Sequence, residues 1–194
     1  MAFSFPKILH LYWDLSTFSY LHFLTIESFN KYHDNWDIRI HYPKKRNENI
    51  DWNSNEQKIK LTCKDYFQAL KQFNNVSFHE INIEVDFLKN ASEVIKSDYY
   101  RYYLLYTHGG VWSDFDILYI NNIEDIIKED LNNIIFRCKL FEKPTRILSL
   151  IYHPIGLLMS KKESKLFKFI LEKSRIFYKK EIYQSIGSEM WNQV

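Results

Sequence analysis

Four charged side chains lie around a pair of glycines: Asp98 and Arg101, then, past Gly109 and Gly110, Asp114 and Asp116. In an extended chain, residues two apart point to the same side, so Asp114 and Asp116 aim two carboxylates at one point. Among apolar neighbours such a pair repels itself until a cation lies between the two groups. Oxygen ligands on a short scaffold suit Mg²⁺ or Mn²⁺, which keep coordination positions open for water and a substrate phosphate. Asp98 and Arg101 are three apart and share one face of a helix. Taken singly, these residues read as a surface ion pair and two strand-end aspartates. Taken together, they read as a site that neutralises phosphate charge with a dication.

The elements that must position them follow from the residues between. Ser92 opens a helix rich in aromatic and aliphatic side chains, and Gly109 and Gly110 end it, since glycine reaches left-handed dihedrals at little cost. Val111, Trp112, Phe115 and Ile117 to Ile120 suit a buried strand that carries both aspartates. Before this core stretch, Lys7 to Trp13 reads as a first strand, with His10 a satisfied core histidine and Asp14 a turn cap. Ser19 to His33 reads as a helix, Trp36 to Tyr42 as a second strand stopped by Pro43, and Lys44 to Gln57 as a solvated loop. Thr62 and Asp65 resemble a capping box ahead of a helix to about Phe73, and Val76 to Ile83 reads as a third strand. Later come a helical turn at Ile123 to Ile127, a strand from Asn133 to Phe141, and a loop from Pro144 to Pro154 with a helical turn at Arg146 to Leu150. A strand from Ile155 to Ser160 and an amphipathic helix from Glu163 to Lys180 complete the chain's main elements. Alternating strands and helices imply an α/β fold with a mostly parallel sheet sandwiched by helices. Ligands then bind at the carboxyl ends of the strands, where Trp13 and Asp114 with Asp116 fall.

Composition narrows the class. The 194 residues fit one domain spanning the chain, and a net charge of +2 gives no field of one sign, which argues against a nucleic-acid binder. Two cysteines, Cys63 and Cys138, have neither disulfide-framework nor metal-ligand spacing and read as buried thiols in a reducing compartment. No run approaches the roughly 18 apolar residues of a membrane span. The N-terminus has no small-residue cleavage site. The expectation is a cytoplasmic enzyme of bacterial or viral type.

The pattern Ser-Asp-x-x-Arg-Tyr, Leu-Tyr, Gly-Gly, an aromatic residue and Asp-x-Asp, over residues 97–120, resembles the Asp-x-Asp sugar-binding region of glycosyltransferase family 32 and its relatives. Those relatives include the glucosylating domains of large clostridial toxins. Pro6, Lys7, Ile8, Leu9 and His10 also follow the family's opening. The resemblance implies the GT-A type of nucleotide-diphospho-sugar transferase fold and a hexosyltransferase that retains anomeric configuration. It implies that Asp114 and Asp116 hold Mn²⁺ or Mg²⁺, that Asp114 also contacts ribose or sugar, and that Asp98 and Arg101 hold the donor sugar. It also puts Leu11, Tyr12 and Trp13 against the nucleotide, with Trp13 stacked on the base; otherwise Trp13 is a core aromatic. The donor is expected to be a UDP-sugar and the acceptor a glycan or another molecule. At the C-terminus, Ile186, Gly187, Ser188 and Trp191 partly match a late donor-covering segment, with Ser188 where the family has proline. Either the enzyme is short or the chain continues in a longer protein. His153 and Glu142 fall in the region of a general base without standing out. Two alternatives are a sugar-nucleotide binding module without turnover and a phosphatase of the haloacid dehalogenase type. The phosphatase would need Thr or Val where Leu118 stands.

Overall fold

The computed structural model describes residues 3–45, 64–127, 130–140 and 150–194. Six strands form the main sheet in the order β3-β2-β1-β4-β8-β5. They are β1 (Ile8–Tyr12), β2 (Asp37–Pro43), β3 (Val76–Ile81), β4 (Gly110–Ser113), β5 (Asn133–Ile135) and β8 (Leu157–Ser160). A second sheet pairs β6 (Cys138–Leu140) with β7 (Leu150–Tyr152). β1 runs parallel to β2 and β4, and β2 parallel to β3, whereas β8 is antiparallel to both β4 and β5. From β1 the chain builds first to one side, through β2 and β3, and then returns to the other side at β4. The gap between the carboxyl ends of β1 and β4 is therefore the topological switch point.

Side chains alternate across the sheet, as the two-residue period of a strand requires. Leu9, Leu11, Ile38, Ile40, Val111 and Met159 form one face and pack with Phe23, Ile26 and Phe29 of α1 (Tyr20–Tyr32). Tyr12, Trp112 and Leu158 form the other, under α2 (Glu93–His108) and α4 (Lys165–Phe177). Serines start these helices by accepting from backbone amides: Ser19 from His22, Ser92 from Ile95 and Ser164 from Phe167. Two short helices, α3 (Ile123–Ile126) and α5 (Ser188–Trp191), complete the set among the described residues.

The expected α/β fold is present, and several local expectations are corrected. The strand expected to carry both aspartates stops at Ser113. Asp114 to Asp116 turn away from the sheet, and Leu118 and Ile120 face solvent. The helix expected to run to Phe73 is a 3₁₀ helix, Phe67–Gln72. The strand expected over 133–141 is two short strands in different sheets, and part of the expected 144–154 loop is β7. The C-terminal helix is shorter at both ends than its amphipathic pattern suggested. Thr62, Cys63, Glu142 and the turn expected at 146–149 lie outside the described residues.

Candidate active site

Helix α2 and strand β4 meet through Gly109 and Gly110, both at positive φ, 68° and 98°. A Cβ on Gly109 would lie 2.6 Å from the Lys162 backbone nitrogen, and one on Gly110 would lie 2.5 Å from the Ile8 carbonyl. Only glycine permits the chain to leave α2 and enter the sheet beside β1 in so small a space. This tight return brings α2's charged face beside the end of β4.

Asp98 and Arg101 are buried at that junction, at 1% and 5% exposure. Arg101 Nη2 lies 2.8 Å from Asp98 Oδ1, Nη1 donates to the Ile155 carbonyl at 2.6 Å, and Nη1 also lies 3.5 Å from Asp114 Oδ1. The contact with Asp98 is ionic: neither carboxylate oxygen receives a hydrogen bond of good geometry from the protein. Burial raises the Asp98 carboxyl to about 7 against the pull of Arg101, and Asp114 pushes it the same way as burial. The guanidinium also lies 5.0 Å from the centre of the Trp112 ring.

Asp114 is half-buried and fixed on three sides. Trp112 Nε1 donates to Asp114 Oδ1 at 2.9 Å, the Asp114 amide donates to the Gly156 carbonyl at 2.7 Å, and Oδ2 faces Gly156, where a Cβ would come within 2.9 Å. The next residue anchors the turn. Phe115 packs on Phe18 and His22, and its carbonyl accepts from Thr25 Oγ1 of α1 at 2.8 Å. Asp116 emerges beyond it, exposed. Among the described residues, no group of three or more His, Cys, Asp and Glu is gathered as a metal cage. A half-buried and an exposed carboxylate on one turn fit a cation that keeps most of its waters or takes its remaining ligands from a phosphate.

On the neighbouring strand end, the half-buried Trp13 donates its indole N–H to the Ser16 carbonyl at 2.8 Å and stacks on Phe67 at 5.2 Å. Asp14 accepts from the Ser16 amide, the turn cap expected of it, and Leu15 adopts φ 64°. The Leu11 side chain is fully buried in the core, so any contact with a nucleotide would come from its backbone. The Tyr12 hydroxyl donates to buried Glu93 at 2.5 Å, and Lys96 pairs with the same carboxylate at 3.0 Å. The C-terminal segment lies against the charged pair from behind: a Cβ on Gly187 would fall 2.5 Å from Asp98 Oδ2. Ser188 donates to the His153 carbonyl, and Trp191, also buried, donates its indole N–H to the Tyr102 hydroxyl at 2.9 Å. The structure thus unites Asp98, Arg101 and Asp114, leaves Asp116 and Trp13 at the rim, and puts the side chains of Leu11 and Trp191 in the core. His153 meets Asn192 at 3.2 Å. The residues the sequence reading did not single out are Thr25, Gly156 and the indole of Trp112. For Trp112, its place two residues before Asp114 was the available signal; for Thr25 and Gly156, distant in sequence, there was none.

A mostly parallel sheet with acidic residues at its switch point, faced by a helix-borne acid and arginine, has the GT-A architecture of sugar transferases. The chain belongs to the family described as the glycosyltransferase sugar-binding region containing a DXD motif, whose model matches residues 22–132. It is therefore an enzyme of sugar transfer, which sets the phosphatase alternative aside. Solved structures carry the same fold. The PaToxG glycosyltransferase is 16% identical with a TM-score of 0.59, the match covering 97% of this chain and 67% of that one. A transferase with two cysteines replaced by serine is 9% identical with a TM-score of 0.53, covering 97% and 85%. No curated protein sequence matches the chain. Among the described residues, no helix is long and apolar enough to cross a membrane.

Proposed function

We propose that the chain, as one cytoplasmic domain, transfers a sugar from a nucleotide-diphosphate donor, with a UDP-sugar favoured, to a glycan or other acceptor, with metal dependence and retention of configuration. The supporting observation is the buried Asp98–Arg101 pair at 2.8 Å with Asp114 3.5 Å from the same guanidinium. Neither oxygen of buried Asp98 has a hydrogen-bond donor, a costly arrangement for a fold alone and one that supports a role for this carboxylate in holding the donor. Arg101, held by the Ile155 carbonyl, supports that carboxylate and presents positive charge toward the donor. Asp114, set by Trp112 and Gly156, contacts the ribose or sugar, and Trp13 offers a ring for the base. A divalent cation, Mn²⁺ or Mg²⁺, held by Asp116 with Asp114 would neutralise charge gathering on the diphosphate. In the transfer, the bond from the anomeric carbon to the β-phosphate oxygen breaks and the diphosphate keeps the electron pair. The acceptor oxygen bonds to the same face, and its proton passes to the departing phosphate oxygen, so no protein base is required.

Asp116→Asn keeps the shape and removes one charge. The variant is expected to melt at or above the wild-type temperature, to lose Mn²⁺-dependent UDP binding in calorimetry, and to hydrolyse donor at least about 10²-fold more slowly. Equal Mn²⁺ dependence in both proteins sinks the metal assignment. UDP binding with no sugar release in the wild type identifies a binding module instead. In a thermal-shift series with Mn²⁺, stabilisation by GDP but not UDP overturns the choice of base.

A further inference from the structure

We infer that the outer face of α4 is a docking surface for anionic membrane lipid. The charge of this chain is unevenly placed. Residues 161–180 hold eight of its 26 basic residues and two of its 24 acidic ones, a local +6 in a chain of +2, so the remainder carries −4. Such asymmetry is invisible in the total and points to a polyanionic partner at one place.

The structure shows how that charge is presented. Phe167, Ile170 and Ser174 are the buried residues of α4. On the opposite face, Lys165, Lys168, Glu172 and Arg175 recur at helical spacing and are exposed. Among the described residues, Lys165, Lys168 and Arg175 have no ion-pair partner. Between these charges stand two large apolar side chains, Phe169 at 40% exposure and Ile176 at 70%. They are seven residues apart, which is about 10 Å along one stripe of the helix. The Lys173 ammonium lies over the Phe169 ring, 5.3 Å from its centre. Lys179 and Lys180 extend the basic rim, and Ile182 and Tyr183 beyond them are also exposed.

An apolar ridge flanked on both sides by basic side chains is the pattern of a helix lying at the headgroup level of an anionic bilayer. The ridge enters the acyl boundary while lysine and arginine meet the headgroups. A nucleic acid would engage the same charges and have no use for Ile176 at their centre. This surface is separate from the sugar-transfer site, and the inference does not depend on the donor.

The test is flotation of the protein with vesicles of phosphatidylcholine alone and with about 30% phosphatidylserine, at roughly 0.1 M and 0.5 M NaCl. The wild type is expected to bind the anionic vesicles at least about tenfold better than the neutral ones, and to release at high salt. Lys168→Glu with Arg175→Glu is expected to abolish binding. Phe169→Ser with Ile176→Ser, at unchanged charge, is expected to weaken it several-fold. Both variants should keep the wild-type melting temperature and donor hydrolysis, because the four side chains are exposed. Equal binding to both vesicle types by the wild type overturns the inference without any variant. So does unchanged binding in the charge-reversed protein. Salt-sensitive binding to a short RNA that ignores Phe169→Ser and Ile176→Ser, with none to vesicles, replaces lipid by nucleic acid.

Discussion

Helix α2 meets buried polar groups at two levels, with Asp98 and Arg101 near its middle and His10 and His41 around its C-cap at Gly109. The two clusters handle burial in opposite ways. His10 Nε2 lies 3.0 Å from the Gly109 carbonyl, which can only accept, so that nitrogen carries the proton. His10 Nδ1 must then accept from His41 Nε2 at 2.9 Å. Each bond is satisfied by neutral rings, and burial holds His10 down to about 3 and His41 to about 2. At mid-helix charge is retained: a guanidinium and a carboxylate are buried together in an ionic contact, and neither carboxylate oxygen receives a hydrogen bond from the protein. On the proposed function, the contrast separates scaffold from site. A cluster that only fastens a helix to a strand can be neutral and complete. A cluster that handles a charged substrate keeps its charges and leaves bonding capacity for the substrate.

The largest break in this contrast comes from Arg101→Ala. It leaves Asp98 buried beside Asp114 with no guanidinium, and removing one partner of a buried pair costs about 3–5 kcal/mol. The loss should depend on pH. Asp98 has a raised carboxyl in the folded chain, about 7 with Arg101 present, so its favourable contribution exists below its unfolded value and fades as pH rises through the folded one. Without Arg101 that folded value climbs further. Urea titrations at pH 6 and pH 8 should therefore show a deeper deficit at pH 8. An equal deficit at both values would mean that the pair is not the source of the cost.

Gly187→Ala sharpens the same cluster more gently. The new Cβ would meet Asp98 Oδ2 at 2.5 Å and Gln184 Cβ at 2.9 Å, and Asp98 has no room to move. Overpacking of this kind costs roughly 1–3 kcal/mol, and donor affinity should fall with it. Gly156→Ala meets Asp114 Oδ2 at 2.9 Å, but that side chain is half-exposed and can swing toward water. Its stability loss should be well under about 1 kcal/mol, with the effect appearing in turnover. Melting curves and donor hydrolysis on the two variants read the difference.

These glycines also mark how far the sequence could be read. The helix bearing Asp98 and Arg101, its stop at Gly109 and the alternating fold were legible, because each rests on local spacing: three residues along a helix, two glycines at a stop, apolar runs between turns. The place of the aspartates was only half legible. Apolar residues from Ile117 to Ile120 suggested a longer strand, yet Thr25 and Ser28 of α1 bond the Phe115 carbonyl and the Tyr119 amide and draw that segment off the sheet. Contacts made some 90 residues apart leave no periodic trace. Trp191 is placed by a contact of the same long-range kind: its indole N–H donates to the Tyr102 hydroxyl on α2, in the core, which its position near the end of the sequence did not indicate.

The most diffuse effect, spread over several rings and brought out only by acid, belongs to the neutral end. His10, His41 and also His22, held down to about 4, all have folded values below the ordinary histidine range because burial disfavours the imidazolium. Arg39 and the neighbouring His79 and His108 add repulsion toward His10 and His41, and Asp14 opposes burial at His22. A lowered value means that the unfolded chain binds the proton first. Stability contributed by these rings is complete above about pH 6.5 and is lost as pH falls from there toward the folded values. Below pH 6 each ring should remove on the order of 1 kcal/mol per pH unit. The His10–His41 bond adds a sharper requirement, because protonating His10 Nδ1 sets two donors against each other. His41→Gln retains a donor toward His10 and removes one titrating ring, so its stability should decline less steeply with acid than that of the wild type, by about one proton in the linkage slope. Chemical denaturation between pH 7 and pH 5 measures that slope. If it is the same in both proteins, His41 is protonated equally in the folded and unfolded chains, and the neutral histidine row does not exist in solution.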